Sequence, residues 1–415
     1  MRCQAELSMP RVTSASRLCA GPMSSTPIIE RIEDAGALEG LRQEWTELLE
    51  ASASDCLFLT WEWLSRWWLH LAEGRRLFVV TVRSGGELVA VAPLALLRRR
   101  IAGLLPLRSL EFLGTGYVGS DYLDIIVRRG HESAVIPALA EYLTRTGIML
   151  DLSRVDRSSR PAEALRQRLH GRGWALAETT IETCPYIDLR GRSWQSYLGS
   201  LGREHRYNIH RRLRNASRAF ALSFEQARSE DERREALAVL LRLHDLRWGP
   251  RSDAFHTPEL RAFHDDVSRL ALARGWLRLF LLRLDGVPVA ALYGFRYRER
   301  FYFYQSGFDP AYAKRSVGLI TTALAIKTAI EEGIEEYDLL HGDEPYKLHW
   351  ASQARALMRL ELYPPTVRDG IRRHARSAMR SARRLARRML PESVVGRIAT
   401  AQRIGVRRAS AVGRR

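Results

Sequence analysis

Residues 300–340 read RFYFYQSGFDPAYAKRSVGLITTALAIKTAIEEGIEEYDLL, and this stretch decides the fold class of the second half of the chain. The run 300–308 is rich in aromatic residues and predicts a strand, which Pro310 ends because proline cannot donate to a sheet ladder. The apolar period of 319–333 predicts a helix, and 336–340 predicts a further strand. Strand, loop, helix and strand in this order indicate an α/β domain.

The loop before this helix has the composition of an anion site. Five residues lead directly into the helix start: Lys314, Arg315, Ser316, Val317 and Gly318. Backbone N–H groups at a helix start have no partner within the helix, and the helix dipole adds partial positive charge, so the loop can hold a diphosphate. The spacing leaves one alternative open, an ordinary helix start with Ser316 as its cap.

The rest of the chain divides into two similar units. Residues 27–183 and 184–365 each contain alternating helix and strand patterns, and the second unit holds the loop described above. Hairpin patterns at 77–100 and 276–297 share an Arg, a Gly and a Val-Ala pair at a constant offset of 200 residues. This recurrence indicates an internal duplication. We therefore predict two tandem α/β domains with mixed, mostly antiparallel sheets flanked by helices.

The two ends of the chain differ from these units. Residues 1–26 lack a continuous apolar run and predict a disordered leader rather than a signal peptide. Residues 366–415 carry fifteen Arg against two acidic residues, and the apolar spacing of 371–390 predicts a basic amphipathic helix. An anionic membrane surface, RNA phosphates and a partner protein all suit such a helix. We expect peripheral contact with an anionic membrane rather than with nucleic acid.

Composition places the chain among ordinary globular proteins. Hydrophobic residues make up 46% of the sequence and charged residues 27%, a balance that can form sizeable cores. No apolar run reaches the roughly 20 residues that a membrane span requires. The four cysteines lie far apart without metal-ligand spacing, which argues against a zinc site or a disulfide framework and indicates the reducing cytosol. We expect a cytoplasmic protein that binds no metal.

A series of different motifs follows in a defined order along the two halves of the chain. The first half contains WEWLSRWW (61–68), GELVAVAPLALL (86–97), LEFLG (110–114) and SDYLDIIV (120–127). The second half contains PYIDL (185–189), REHRYNIHRRLR (203–214), LHDLRW (243–248), GVPVAALYGF (286–295), YFYQSGFDPAYAKRSVG (302–318) and YDLLHGDEPYKLHW (337–350). Together they resemble the CelD-like branch of the GNAT superfamily, which is associated with bacterial cellulose and exopolysaccharide biosynthesis. The arrangement is also similar to the Fem-type aminoacyl transferases, which pair two GNAT folds.

The resemblance implies acetyl-CoA or another acyl-CoA as co-substrate, held between splayed strands with its pyrophosphate at residues 314–318. GNAT loops often read R/Q-x-x-G-x-G/A. Residues 315–318 satisfy the first part of this pattern, whereas Leu319 and Ile320 stand where a second small residue is expected.

Direct acyl transfer from a thioester requires a base, stabilisation of an oxyanion and a proton for the thiolate. Asp338 ends the strand after the phosphate-binding helix, and Glu344, Tyr346 and Lys347 follow in the next loop, with His341 adjacent. We assign the base role to Glu344 or Asp338 and the acid role toward the CoA sulfur to Tyr346. Lys347 either binds an anionic acceptor or holds the loop by a salt bridge.

Further polar residues are candidates for acceptor recognition: Asp121, Tyr122, Arg203, Arg206, His210 and Gln305. On a helix, 203, 206 and 210 share one basic face, which suits an anionic acceptor or the CoA phosphates. A solvated helix face is the alternative. Asp121 and Tyr122 are placed to bind acceptor across the cleft between the domains, or to form a strand-entry turn.

These observations predict an acyl-CoA-dependent N- or O-acyltransferase that acts on a small molecule, a saccharide or a cell-envelope precursor. One alternative is a Fem-like transferase that takes aminoacyl groups from tRNA, although no coiled-coil insertion is present in the second domain. The other is a catalytically silent GNAT-like scaffold in polysaccharide biosynthesis, which the departure at Leu319 and Ile320 favours.

Overall fold

A computed structural model of the chain describes residues 26–101, 105–249, 252, 254–342 and 344–366. The first half contains β1 (Ile28–Ile32), α1 (Ala35–Gly40), α2 (Arg42–Glu50), α3 (Trp61–Leu71), β2 (Arg75–Leu77), β3 (Val79–Ser84), β4 (Glu87–Ala92), β5 (Leu94–Ile101), β6 (Leu105–Phe112), β7 (Ile126–Val127), α4 (Glu132–Thr146), β8 (Met149–Asp156), α5 (Arg160–His170) and β9 (Ala175–Asp188). The second half contains α6 (Trp194–Ser200), α7 (Arg203–Ala219), β10 (Leu222–Gln226), α8 (Glu230–Trp248), α9 (Pro258–Ala273), β11 (Leu277–Leu284), β12 (Val287–Tyr297), β13 (Arg300–Phe308), α10 (Val317–Glu331), β14 (Glu336–Asp338) and β15 (Gln353–Tyr363).

Strands from both halves join into one sheet. In the described ranges it has eleven strands in the order β10-β11-β12-β13-β14-β9-β15-β8-β6-β5-β2. A second sheet of four strands has the order β1-β3-β4-β7. Most pairs are antiparallel, while β13 with β14 and β6 with β8 are parallel. The predicted mixed α/β class, with mostly antiparallel sheets flanked by helices, is confirmed.

Strands β9 and β15 tie the two halves together. The end of β9 pairs with β14, while most of its length pairs with β15. Strand β15, the last described strand in the sequence, also pairs with β8 of the first half. The predicted boundary between residues 183 and 184 falls inside β9, so the hydrogen-bond ladder continues across it. The boundary stays a prediction.

The hairpins β3–β4 and β11–β12 repeat each other in detail. Each ladder shifts register immediately before an arginine, Arg83 in the first and Arg283 in the second. Arg83 donates to the carbonyl of Gly86 at 3.1 Å, and Arg283 donates to the carbonyl of Gly286 at 3.3 Å. Both glycines have positive φ, 86° and 78°, which favours glycine at these turns. The shared geometry at an offset of 200 residues supports the internal duplication.

An aromatic cluster packs the halves against each other. Trp63 of α3 is buried and makes edge-to-face contacts with Phe263 of α9, Phe295 of β12 and Tyr304 of β13, at centroid distances of 5.1, 5.8 and 5.6 Å. Its indole N–H donates to the hydroxyl of Ser120 at 2.8 Å, so the buried nitrogen is satisfied. The cluster therefore holds the first-half loop around Ser120 against the second-half sheet.

Some predictions fall outside the part of the chain that the structure describes. The predicted leader, apart from Thr26, and the predicted basic tail, apart from Thr366, lie there. Among the helices that are described, none combines the length and apolarity that a membrane crossing requires.

Candidate functional site

Strands β13 and β14 part in the middle of the second half. They pair in parallel up to Tyr302 and Asp338, where β14 ends, whereas β13 continues to Phe308. The ladder between β12 and β13 shifts register so that Tyr304 is an extra residue. A bulge of this kind bends the strand and increases its twist. The last residues of β13 therefore border a gap instead of a neighbouring strand on that side.

A cavity of about 410 Å³ lies at the end of this gap, between β13 and the start of α10. We call it the helix-end cavity. Residues of several elements line it: His205, Asn208, Arg247, Ala290, Ala291, Ser306, Gly307, Phe308, Ala313, Ser316, Val317, Gly318, Leu319, Thr321, Thr322, Tyr346, His349 and Trp350. The predicted residues Ser316, Val317 and Gly318 are among them.

The start of α10 faces this cavity without a side-chain cap. Ser316 precedes the helix with φ of 58° and ψ of 40°, and its hydroxyl makes no capping hydrogen bond. The alternative of a Ser316-capped helix is therefore wrong. The first backbone N–H groups of α10 are left for a ligand, and the helix dipole favours a negative charge there. A Cβ at Gly318 would meet the Phe308 ring at 3.3 Å, so the small residue keeps this approach open.

Lys314 and Arg315 are exposed on the loop and do not line the helix-end cavity in the described structure. The carbonyl of Lys314 accepts a hydrogen bond from Arg212 of α7 at 3.0 Å, and the guanidinium of Arg315 lies over the Phe220 ring at 5.4 Å. Both contacts fix the loop to α7. Their predicted role in cofactor binding stays a prediction.

Arg247 at the end of α8 supplies a cation to the wall of the helix-end cavity. Its guanidinium stacks on the rings of Trp248 and Phe308, at 4.3 and 4.6 Å, and donates to the Ser306 hydroxyl at 3.2 Å. Burial lowers the pKa of Arg247, an effect that Tyr346 and other groups partly offset. Arg247 was not among the predicted site residues, although it belongs to the motif LHDLRW (243–248), which was one of those that carry the family resemblance.

A second cavity, of about 430 Å³, opens where β13 and β14 have parted, and we call it the interdomain cavity. It is lined by Tyr117, Val118, Gly119, Glu182, Trp248, Ser252, Ala254, Phe303, Tyr304, Gln305, Ser306, Leu339, Leu340, His341, Gly342, Glu344, Tyr346 and Lys347. Ser306 and Tyr346 line both cavities, so the two cavities are neighbours at these residues. The predicted residues Gln305, Glu344, Tyr346 and Lys347 are thus brought together.

Lys347 anchors the loop that it belongs to. Its ammonium group is buried, donates to the carbonyls of His341 and Leu340 at 2.7 and 3.3 Å, and pairs with Glu344 at 3.0 Å. Two hydrogen bonds and one ion pair thus hold the ammonium group within its own loop. Of the two roles predicted for Lys347, the geometry therefore favours holding the loop, and the ion pair places a positive charge beside the Glu344 carboxylate.

Tyr346 stands at the junction of the cavities. Burial raises the pKa of its hydroxyl, the Glu344 carboxylate adds to this effect and Arg247 opposes it. The phenol therefore stays protonated at neutral pH.

Asp338 lies beneath the site and does not line either cavity in the described structure. It is buried, accepts a hydrogen bond from the Tyr122 hydroxyl at 2.6 Å and another from the Leu340 N–H at 2.8 Å, and has the guanidinium of Arg355 at 3.7 Å. Burial raises its pKa to about 7, although the Tyr122 hydrogen bond opposes this. Tyr122 thus holds this carboxyl group, and its predicted role in acceptor binding stays a prediction.

Asp121 is fully buried behind the wall of the interdomain cavity. It accepts hydrogen bonds from Arg154 at 2.8 Å, from the His341 backbone N–H at 3.0 Å and from His341 Nδ1 at 2.9 Å, and the Cys184 thiol lies at 3.7 Å. Burial raises the pKa of Asp121, but His341 and Arg154 outweigh it, so the pKa lies below its ordinary value. Asp121 therefore stays ionised and orients His341. The sequence places His341 beside the candidate catalytic residues but gives it no role, because no local pattern links it to Asp121.

Helix α7 turns a different face to the site than its charge pattern suggested. His205 and Asn208 line the helix-end cavity, whereas Arg203, Arg206 and His210 line neither cavity in the described structure. Arg206 donates to the carbonyl of Gly199 at 3.1 Å. Substrate binding by the predicted basic face stays a prediction.

Comparison with known proteins gives one match to a family model and several solved structures of similar fold. Residues 203–348 match a family model described as an acetyltransferase (GNAT) domain. The crystal structure of FemX is similar with a TM-score of 0.56 and 13% sequence identity, over 81% of this chain and 97% of that one. A conserved protein of unknown function from Bacteroides thetaiotaomicron is similar with a TM-score of 0.51 and 11% identity, over 81% and 100% of the two chains. A tandem GNAT protein from the clavulanic acid biosynthesis pathway has a TM-score of 0.45 and 12% identity, over 82% and 100%.

No curated protein matches the chain by sequence. The described residues form a mixed α/β fold, and the part that matches the GNAT acetyltransferase domain model, residues 203–348, contains the parted strands β13 and β14. A GNAT-type transferase is the activity that this domain supports.

Proposed function

We propose that the protein transfers an acyl group from an acyl-CoA thioester to an acceptor bound in the interdomain cavity. The observation that carries the proposal is that two neighbouring cavities share Ser306 and Tyr346 as lining residues, beside the point where β13 and β14 part. One cavity ends on an uncapped helix start, and the other opens between the two halves of the chain. A donor in the first and an acceptor in the second would meet at their junction.

The helix-end cavity suits the diphosphate end of the donor. The uncapped N–H groups at the start of α10 can donate hydrogen bonds to a negatively charged group, and the Arg247 guanidinium adds a positive charge to the same wall. Gly307 lets the backbone of α8 pack closely behind β13, and Gly318 leaves room beside the Phe308 ring at the start of α10. These features support acetyl-CoA or another acyl-CoA as the co-substrate.

The reaction needs a nucleophile, a stabilised carbonyl oxygen and a proton for the leaving sulfur. The edge of β13 that β14 leaves unpaired offers backbone N–H groups to the carbonyl oxygen. Tyr346 stands at the junction with its phenol protonated, and it is placed to protonate the thiolate.

The acceptor is a hydroxyl- or amine-bearing molecule of the saccharide or cell-envelope class. Polar side chains of the interdomain cavity, among them Glu182, Gln305 and Ser306, suit a ligand with several hydrogen-bonding groups. The resemblance to CelD-like proteins supports the same choice.

Isothermal titration with acetyl-CoA tests the proposal. Gly318→Asp places a carboxylate at the second residue of α10, where it repels a diphosphate, and we expect binding to weaken at least about tenfold. Ser133→Asp is the matched control, because it adds the same charge at the second residue of α4. Absence of acetyl-CoA binding by the unaltered chain, or equal binding by both variants, would refute the donor site.

An aminoacyl-tRNA is the second candidate donor. Exposed arginines cover α7 beside the helix-end cavity, at positions 203, 211, 214 and 218, and a cationic surface of this kind suits a polyanion. The fold similarity to FemX is compatible with this choice. Competition separates the donors: charged tRNA that displaces acetyl-CoA at low concentration, while uncharged tRNA does not, would favour the aminoacyl donor.

A further inference from the structure

We infer that His341 is the general base of this site and that Asp121, which the first half contributes, positions it. The inference rests on the proposed acyl transfer and adds the group that activates the acceptor. The first half of the chain would thereby contribute to catalysis, because its Asp121 orients the base.

One side of the His341 ring is fixed. Nδ1 lies 2.9 Å from the Asp121 carboxylate, and the backbone N–H of His341 donates to the same oxygen at 3.0 Å. An ionised carboxylate only accepts, so Nδ1 carries a hydrogen in this contact. Asp121 is itself held by Arg154 at 2.8 Å and is fully buried, so it cannot swing away without leaving two partners. The carboxylate therefore sets both the tautomer and the direction of the ring.

The other side of the ring faces the interdomain cavity. His341 is one of its lining residues, and its side chain is 30% exposed. Within the described ranges no protein group hydrogen-bonds Nε2, and this nitrogen is not among the buried polar atoms that lack a partner. With Nδ1 protonated, Nε2 has a free lone pair, which is what a base needs.

Gly119 makes room for this arrangement. A Cβ at this position would meet His341 Cε1 at 3.2 Å and the Tyr304 hydroxyl oxygen at 4.0 Å, and the backbone φ of 67° favours glycine. The first-half loop therefore approaches the ring closely from the side between its two nitrogens.

The other titratable groups of the cavity are less suited to the base role. Glu344 is paired with Lys347 at 3.0 Å, and Asp338 is hydrogen-bonded to Tyr122 away from the cavity. The titratable groups that face His341 or share its cavity are Asp121, Tyr117, Glu182, Tyr304, Glu344, Tyr346 and Lys347. His341 differs from these groups because a carboxylate fixes one of its ring nitrogens and the other nitrogen faces the cavity.

The acceptor N–H or O–H gives its proton to His341 Nε2 while its nitrogen or oxygen bonds to the thioester carbon. The C–S bond then breaks, the sulfur takes a proton from Tyr346, and the proton held by His341 restores the phenol directly or through solvent. The products are the acylated acceptor and free CoA thiol.

The test measures release of free CoA thiol from acetyl-CoA with D-glucosamine as the acceptor probe, from pH 5 to 9. For His341→Gln we expect kcat to fall by about 10² to 10⁴ and the acidic limb of the pH profile to disappear. Acetyl-CoA binding, measured by calorimetry, should stay within about twofold, because the residue does not line the helix-end cavity. His170→Gln, an exposed histidine at the end of α5, is the matched control with unchanged rate.

Asp121→Asn tests the positioning role. The fall in kcat should approach that of His341→Gln without a change in acetyl-CoA binding, because the ring loses the carboxylate that sets its tautomer and direction. The double variant should be no slower than His341→Gln alone, since the two residues act as one unit. A purely structural role would lower the melting temperature and acetyl-CoA binding together.

The outcomes separate this inference from the proposed function. If His341→Gln keeps the wild-type rate and pH profile, the base assignment is wrong. If the unaltered chain binds acetyl-CoA but releases no thiol above background, the base assignment also fails while the donor site stands. Failure of the unaltered chain to bind acetyl-CoA overturns the proposed function itself.

Discussion

Replacing Asp338 by Asn should remove a pH dependence from the stability of the protein. Asp338 is 1% exposed, and burial raises its pKa to about 7. An unfolded aspartate has a pKa of about 3.9. Between these two values the folded chain holds a proton that the unfolded chain has lost, so the free energy of unfolding falls as pH rises.

The size of the effect follows from the pKa difference. Each unit of difference corresponds to about 1.4 kcal/mol, so about three units give about 4 kcal/mol. The contribution is fully present below about pH 4, is lost as pH rises toward 7, and stays constant above that value. In Asp338→Asn the side chain does not titrate. The difference in unfolding free energy, native minus variant, should therefore fall by about 4 kcal/mol between pH 4 and 7.5.

Urea denaturation followed by tryptophan fluorescence, at half-unit steps from pH 4 to 8, measures this difference. Asp124→Asn is the matched comparison, because Asp124 is also buried and burial raises its pKa to about 6, against hydrogen bonds from Ser159 and Ser54. For Asp124→Asn, the native-minus-variant difference in unfolding free energy should level off about one pH unit lower than for Asp338→Asn. Its total change with pH should amount to about 3 kcal/mol. A native-minus-variant difference for Asp338→Asn that does not change with pH, or that grows as pH rises, would refute the reasoning.

Three further predictions concern the helix-end cavity and the tail. Gly307→Ala places a Cβ 2.5 Å from the backbone nitrogen of His244 in α8, so we expect a loss of about 1–3 kcal/mol in urea denaturation, and unchanged stability would contradict the close approach. Arg247→Gln should weaken acetyl-CoA binding in calorimetry by about tenfold, whereas Arg242→Gln on the exposed side of the same helix should not; equal effects would remove Arg247 from the donor site. Deleting residues 366–415 should abolish flotation with anionic vesicles but leave acetyl-CoA binding intact, and identical flotation of both forms would remove the membrane role of the tail.

Local patterns in the sequence predicted the elements that carry the site. The helix predicted at 319–333 is observed at Val317–Glu331, and the strand predicted at 300–308 has those bounds. The repeated hairpins were predicted from residues within a few positions of each other. Periodicity, proline and turn glycines act over one or two turns of chain, so they can be read without a tertiary structure.

The chemistry of the site depends on contacts that no local pattern contains. Asp121 meets His341 across 220 residues, and Tyr122 meets Asp338 across 216. The pattern on α7 showed which residues share a face, but packing against α10 and the helix-end cavity decided that His205 and Asn208 face inward. The sequence by itself therefore determined the order of strands and helices, but it left open whether the Ser316 side chain caps α10, which the structure decided. Only the tertiary structure decided which carboxylate orients which base, because long-range packing of the two halves brings those side chains together.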